Sequence, residues 1–225
     1  MQEIKVAVDA VVFGYFEKKD LHILLIKRKI DPFKGGWALP GGLVHDDESV
    51  DDAVVRELYE EAGIKPDFME QLYTFGELNR DPRNRVVSIA YLGLVNPSSY
   101  EIIADTDAEE VKWFSINKLP TLAFDHKKIV EVALKRLRAK LQYQPIGFNL
   151  LHEEFAFSEL ENLYQTIIGQ EIDRRNFRKK ILSYNLLSET DQLRKEGSGR
   201  PAKLFTFNKE KYEELEKSGF YFEIK

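Results

Sequence analysis

Residues 42–64 read GLVHDDESVDDAVVRELYEEAGI, and the spacing of charges in this segment is the most informative pattern in the chain. After the first glycine come five residues and Glu48, and after seven more comes the run Arg56–Ile64. Seven specified residues and two apolar positions in this arrangement are expected by accident only about once in 10⁷ chains of this length. The pattern predicts a helix over Ser49–Ala62, which Gly63 is well placed to end.

The predicted helix carries three glutamates on one face. Glu57, Glu60 and Glu61 stand at positions i, i+3 and i+4, so their carboxylates project together. Crowded carboxylates repel one another unless a cation lies among them, and oxygen ligands of this kind suit Mg²⁺ or Mn²⁺. Glu48 and Arg56 are predicted to form an ion pair that ties the preceding loop to the helix. For three glutamates alone, a solvated helix face is the commoner explanation.

A second informative segment lies near the C-terminus. A capping box at Ser158–Glu161 predicts a helix that Gly169 ends, a second helix is predicted over residues 173–183, and two short strands follow. Helix, turn, helix and hairpin is the order of a winged helix-turn-helix. The second helix and the hairpin carry side chains that suit DNA bases and phosphates: Arg174, Arg175, Asn176, Arg178, Lys179, Arg194, Lys195, Arg200 and Lys203. The alternative is a basic helix that faces only solvent.

The composition indicates a folded chain with local basic surfaces. Formal net charge is −5 over 225 residues, yet residues 126–141 and 172–203 each carry a net charge of +5, so parts of the surface can attract phosphate. The absence of cysteine excludes disulfides, thiol catalysis and any cysteine-based metal site. No segment has the pattern of a signal peptide or the length of a membrane span, so a cytoplasmic protein without a membrane partner is expected.

The order of elements predicts an N-terminal α/β domain followed by a smaller domain. Strands are predicted for five apolar segments: residues 6–16, 22–29, 71–78, 86–95 and 111–115. With the glutamate-bearing helix they would form a mixed sheet with flanking helices, an α/β (α+β) fold. A further helix over residues 125–141 is interrupted by a proline-containing segment, and we place the domains at 1–143 and 144–225.

The chain resembles a known family at both ends. Residues 42–64 fill every position of the Nudix box, and the lead-in WALPGG at 37–42 strengthens that resemblance. The two halves together resemble the Nudix-related transcriptional regulators, in which a Nudix-like domain is fused to a C-terminal winged helix-turn-helix. The similar stretches are LAFDH at 122–126, DRRNFRKKIL at 173–182 and GRPAKLF at 199–205. The resemblance covers nearly the whole chain.

The resemblance to Nudix proteins implies a site that binds a divalent metal and directs water onto a diphosphate linkage. On this chain, Glu57, Glu60 and Glu61 would be the metal ligands, with Glu61 a candidate base. Arg56 and Glu48 would complete the same catalytic set.

Ligand contacts are expected around the lead-in to the box. Gly41 and Gly42 would let the backbone approach a metal or phosphate closely. Trp37 is the candidate for contact with the ligand. Trp37, Phe33 and Phe75 could each stack a base or a sugar face, although each is more often part of a core.

The resemblance to the regulators implies a homodimer that binds a palindromic DNA operator and releases it when a small molecule occupies the Nudix-like domain. That effector would be an ADP-ribose-like nucleotide or a sugar of the pentose or arabinose class. Regulators of this family often have a damaged Nudix box, whereas this box is intact, so the alternative is a Mg²⁺-dependent pyrophosphohydrolase of ADP-ribose or a related compound. A hydrolase needs neither a wing nor a basic second helix, so we favour a ligand-responsive regulator of metabolic genes and leave catalysis open.

Overall fold

The computed structural model describes residues 3–16, 20–100, 102, 108–195 and 201–224. The chain divides into two compact units, residues 1–136 and 137–225. This division falls a few residues before the predicted domain boundary. Among the described residues, no helix is both long and apolar enough to cross a membrane.

Unit 1 is built on a mixed sheet, as predicted. The strand order is β3-β2-β1-β6-β5, with β4 beside β1 and β7 beside β2. The pairing of β1 with β6 is parallel, and the other pairings are antiparallel. Its elements in chain order are β1 (Lys5–Phe16), β2 (Asp20–Arg28), β3 (Trp37–Ala38), β4 (Gly41–Leu43), α1 (Val50–Ala62), β5 (Phe68–Phe75), β6 (Val86–Val95) and β7 (Ala108–Ser115). Helix α2 (His126–Lys140) begins in unit 1 and runs past the division at residue 136.

The centre of the sheet explains the long apolar runs of the sequence. Strand β1 is buried at every position from Ala7 to Gly14, because a central strand with both faces covered needs apolar residues without alternation. Helix α1 covers one face, where Val54 and Leu58 pack with Val8 and Val12. The glutamate-bearing helix α1 therefore packs directly against the central strand β1.

Helix α1 has the ends that the sequence predicts. The Ser49 side chain accepts a hydrogen bond from the Asp52 N–H at 3.1 Å, which satisfies one of the free donors of the first turn. Gly63 ends the helix in the left-handed region, with φ +70°.

The short strand β4 passes unusually close to β1. Gly41 lies opposite Asp9 and has φ +150°. A Cβ at this position would overlap the carbonyl oxygen of Val8. Only glycine fits both the backbone conformation and the space.

Unit 2 has the helix, turn, helix and hairpin order that the sequence predicts. Phe157, Tyr164 and Phe177 form its core contacts, with ring centroids 6.2 Å apart for Phe157–Phe177 and 5.1 Å for Tyr164–Phe177. A three-stranded sheet of order β8-β10-β9 packs beside the helices. The elements are β8 (Phe155–Ala156), α3 (Phe157–Ile168), α4 (Arg174–Ser183), β9 (Leu187–Arg194), β10 (Ala202–Phe207) and α5 (Lys209–Lys217).

The capping box predicted at Ser158–Glu161 is wrong, because α3 begins at Phe157. The carboxylate of Glu159 accepts the backbone N–H of Ala156 at 2.5 Å. Ala156 is held by its pairing with Leu204 in the β8–β10 ladder, so a long-range strand contact sets where the helix starts.

Replacement of Gly41 by alanine is expected to destabilise unit 1 by roughly 2–4 kcal/mol, because the new methyl group is both strained and overlapped. Thermal unfolding would show this, since about 1 kcal/mol shifts the midpoint by about 2–4 °C in a protein of this size.

Gly35→Ala is the matched control for that measurement. Gly35 also has a positive φ, +77°, but nothing lies within 4 Å of its would-be Cβ, so the expected loss is about 1 kcal/mol. Equal losses in the two variants would contradict the steric role of Gly41.

Candidate functional site

The Arg56 side chain on α1 binds several carboxylates at once. Its guanidinium donates to both carboxylate oxygens of Glu48, at 2.9 and 2.6 Å, so the predicted ion pair is present. The same side chain also donates to Glu57 at 2.9 Å, to Glu60 at 3.2 Å and to the Leu43 carbonyl at 3.2 Å. The hydrogen bonds from Arg56 are the main cause that lowers the pKa of Glu48 to about 2.

The three glutamates of α1 do not share one environment. Glu57 and Glu61 line a cavity of about 280 Å³ in unit 1, whereas the Glu60 side chain is 43% exposed and lies against Arg56. In the part of the chain that the structure describes, no group of three or more potential ligands has the arrangement of a metal site. Of the three predicted ligands, Glu57 and Glu61 thus line the cavity, and the role of Glu60 as a ligand stays a prediction.

Glu61 and Glu57 differ in what surrounds them. Glu61 is buried, 4% exposed, and accepts the backbone N–H of Gly41 at 2.8 Å. Burial raises the pKa of Glu57, and the hydrogen bond from Arg56 offsets this only in part. A carboxylate in this state gains from a nearby cation, because a cation restores the stabilisation that water no longer supplies.

The lead-in residues take different positions from one another. Gly41 and Gly42 both line the cavity, and a Cβ at Gly42 would overlap the Glu57 carboxylate. Trp37 is not among the described residues that line it. Its ring packs edge-on against Phe114, with centroids 4.6 Å apart, so the expectation of a ligand contact from Trp37 finds no support in this cavity. Phe75 is buried in the core.

A buried charge network forms the back wall of the cavity. Arg80 donates to Asp9 at 3.0 Å and to both oxygens of Asp125 at 3.1 and 2.8 Å. Burial opposes the charge of Arg80, but Asp9 and Asp125 together raise its pKa. Ser88 donates a further hydrogen bond to Asp9 at 2.5 Å. The network joins β1, β6 and the start of α2.

His126 lies in the same wall and is neutral. Its Nδ1 accepts the Leu39 N–H at 2.9 Å, which leaves the proton on Nε2, 3.4 Å from a carboxylate oxygen of Asp9. Burial lowers the pKa of His126 in spite of that carboxylate.

Arginine and aromatic side chains line the outer part of the cavity. The Arg28 guanidinium lies 4.9 Å from the ring centroid of Phe124, and that of Arg83 lies 5.9 Å from it. Asp81 holds Arg83 through two side-chain hydrogen bonds, at 3.1 and 2.8 Å. Positive groups thus line the same cavity as the two glutamates, which suits a ligand that carries negative charge.

The sequence interpretation missed most of this wall. Five of its charged residues were not singled out from the sequence: Asp9, Arg28, Arg80, Asp81 and Arg83. One signal was available, because Asp9 interrupts an otherwise apolar run from Val6 to Phe13, and a buried charge needs a partner. The identity of that partner, 71 residues away, could not be read from the pattern.

In unit 2, α4 presents a row of cations on its exposed face. Arg174, Arg175 and Lys179 are exposed, and none of the described residues forms an ion pair with them. The N-cap Asp173 accepts the backbone N–H groups of Arg175 and Asn176 at 3.0 and 3.1 Å. Asn176 also donates its side-chain amide to Asp173 at 2.8 Å, so one of its donors is already engaged.

Other predicted DNA contacts have partners within unit 2. The Arg178 guanidinium lies 4.3 Å from the ring centroid of Phe157. Arg194 donates to Glu159 at 3.1 and 3.0 Å, and Lys203 pairs with Glu189. Lys195 is exposed. Arg200 lies outside the described residues.

Comparison with known proteins agrees with this two-part architecture. Residues 4–133 match the NUDIX domain family, and residues 147–207 match the NrtR DNA-binding winged helix domain. The protein named "ADPR responsive transcriptional repressor NtrR" in Acinetobacter baylyi is 33% identical over 210 residues, covering 92% of this chain and 83% of its own length.

Two further relatives resemble the chain to different extents. The crystal structure of Shewanella oneidensis NrtR complexed with a 27mer DNA is 32% identical, with a TM-score of 0.79, covering 96% of this chain and 97% of that one. An ADP-ribose pyrophosphatase of Methanocaldococcus jannaschii is 46% identical over 126 residues, which is 56% of this chain and 70% of that protein. The chain belongs to the NrtR family, in which a Nudix domain is followed by a winged-helix DNA-binding domain.

Proposed function

We propose that this protein is a transcriptional repressor that binds an operator through unit 2 and is released when a nucleotide of the ADP-ribose type binds in unit 1. The observation that carries the proposal is the row of exposed cations on α4 in a chain that also holds an arginine-lined Nudix cavity. The names of the Acinetobacter and Shewanella relatives support the same reading. As a DNA-binding protein it would act in the cytoplasm.

On DNA, α4 would lie in the major groove as the recognition helix. Arg174 and Arg175 at its start suit guanine edges or phosphates, and Lys179 suits phosphates. In a homodimer, the two α4 helices would read half-sites about 34 Å apart on one side of the duplex. Arg178 and Arg194 would instead hold the recognition helix and the wing in position, since both have contacts within unit 2.

The effector is proposed to be a nucleotide rather than a neutral sugar. Three arginines line the cavity, Arg28, Arg80 and Arg83, and cationic side chains favour a diphosphate over an uncharged ligand. The ligand would weaken DNA binding if it prefers an arrangement of the dimer that no longer fits the operator.

A divalent cation fits the two glutamates that line the cavity. Mg²⁺ commonly takes one or two carboxylates and completes its shell with water and substrate phosphates, and Glu57 and Glu61 supply two carboxylates there. When bound, the cation would offset the charge of a diphosphate. Glu57 and Glu61 would hold it, and Gly41 would keep Glu61 oriented through its N–H.

The second candidate function is hydrolysis of ADP-ribose or a related compound. Two observations favour it: Glu61 is oriented at the cavity by Gly41, and the archaeal relative is named an ADP-ribose pyrophosphatase. Catalysis and repression are compatible, because turnover of the effector would restore DNA binding.

Arg174→Ala and Arg175→Ala are each expected to weaken operator binding about tenfold, since a lost arginine contact to a base costs about 1–3 kcal/mol. Fluorescence anisotropy with operator DNA at several salt concentrations measures this. A lost phosphate contact would also reduce the salt slope by about 1. Lys217→Ala, an exposed lysine on α5, is the control, and binding unchanged in both arginine variants would reject α4 as the recognition helix.

Mg²⁺ binding is expected to weaken as the pH falls. Because burial raises the pKa of Glu57, a proton competes with the metal at a higher pH than it would at an ordinary glutamate. Calorimetric titration of Mg²⁺ should show Glu57→Gln and Glu61→Gln losing most of the affinity, whereas Glu60→Gln keeps it. Equal losses in all three variants would restore the three-glutamate site that the sequence predicts.

Glu61→Gln is expected to abolish any ADP-ribose hydrolysis by the wild-type protein while DNA binding is retained. Release of AMP from ADP-ribose with Mg²⁺ or Mn²⁺ is the assay. If the wild type shows no turnover under either metal, the enzymatic candidate is rejected and the repressor proposal stands unaffected.

A further inference from the structure

We infer that Leu182 on α4 determines part of the operator sequence, by contact with the methyl group that thymine presents in the major groove. The inference rests on the proposed function, in which α4 is the recognition helix. Leu182 is 37% exposed. Within α4, which the structure describes in full from Arg174 to Ser183, it is the one exposed apolar side chain. No other property of the proposed DNA surface, which is otherwise basic and polar, accounts for a leucine there.

Leu182 lies on the same face of α4 as two of the exposed cations. Arg175, Lys179 and Leu182 stand at positions i, i+4 and i+7, so they form one stripe along the helix. The core residues Phe177 and Ile181 lie on the other side and are buried. From Arg175 to Leu182 the helix rises about 10 Å, which is less than the width of the major groove, about 12 Å. All three side chains of the stripe can therefore contact one groove.

The segment that follows α5 packs against α4 without covering Leu182. The Tyr184 hydroxyl donates to the Glu223 carbonyl at 2.5 Å, and Lys180 forms an ion pair with the Glu223 carboxylate at 3.5 Å. Lys180 and Tyr184 each stand two positions from Leu182, and two positions correspond to about 200° around a helix. The contacts with Glu223 therefore lie on the side of α4 away from Leu182, whose side chain stays accessible beside the cations.

A leucine discriminates among bases because its side chain neither donates nor accepts a hydrogen bond. Contact with the polar edge of guanine, cytosine or adenine would remove water from donors and acceptors and leave them without a partner, which weakens binding. Contact with the thymine methyl group instead removes apolar surface from water on both molecules. Arg175 and Lys179 would supply attraction to guanine or phosphate, and Leu182 would add a preference for thymine beside them.

The test removes the methyl group from the DNA and the leucine from the protein. The probe is the tightest-binding duplex that the full-length protein selects from a random-sequence pool, and each thymine of one half-site is replaced in turn by uracil, which lacks only the methyl group. In fluorescence anisotropy, wild type should lose about fourfold in affinity at one or two positions, the effect of one buried methyl group. Leu182→Ala should bind the thymine and uracil duplexes equally at those positions.

Leu193→Ala is the matched control, because Leu193 is an exposed leucine on β9, and it should keep the wild-type preference for thymine. Alanine favours the helix, so Leu182→Ala should fold.

Two results would overturn the role of Leu182: a wild type without any uracil-sensitive position, or a thymine preference that persists in Leu182→Ala. Equal weakening of that variant on thymine and uracil duplexes with the preference intact would show that Leu182 acts through packing. Failure of the wild type to select any sequence would instead reject the proposed DNA recognition by unit 2.

Discussion

The hydrogen bond from the Gly41 N–H to the Glu61 carboxylate, 2.8 Å long, is the contact on which the architecture of unit 1 depends. It joins the loop before the Nudix box to the last turn of its helix, and it satisfies a carboxylate that is almost fully buried. Because Gly41 also passes against the Val8 backbone, the same contact places α1 on the central strand. The cavity exists where these three segments converge.

Charge pairing then decides which groups of the cavity face a ligand. Arg80 binds both Asp9 and Asp125, and the His126 Nδ1 accepts the Leu39 N–H, so the polar groups of the back wall are already engaged with one another. Burial raises the pKa of Glu57, and the hydrogen bond from Arg56, which also binds Glu48 and Glu60, offsets this only in part. A cavity lined by the carboxylates Glu57 and Glu61 together with Arg28, Arg80 and Arg83 suits a metal and a diphosphate in one site.

Several features of unit 1 were predicted correctly from patterns of residues that are close in the sequence. The i, i+3, i+4 spacing of the glutamates, the Ser49 and Gly63 ends of α1 and the Glu48–Arg56 pair all depend on residues close in the chain, and all are present. The mixed sheet and the winged helix-turn-helix followed from the order of elements. Glu60 shows the limit of this reasoning, because helical spacing sets the face of a side chain but not which neighbour binds it.

Local spacing and composition were sufficient to identify the Nudix helix, the basic α4 and the family resemblance, because helices and their ends are set by neighbouring residues. The contacts of the back wall could not be predicted from local spacing. Asp9, Arg80 and Asp125 come from three distant segments, and the start of α3 depends on a strand pairing with Leu204. The packing of the whole sheet decides which distant residues come into contact. The free energy of folding then depends both on the burial of charged groups and on their pairing. The cavity walls therefore appear only in the folded protein.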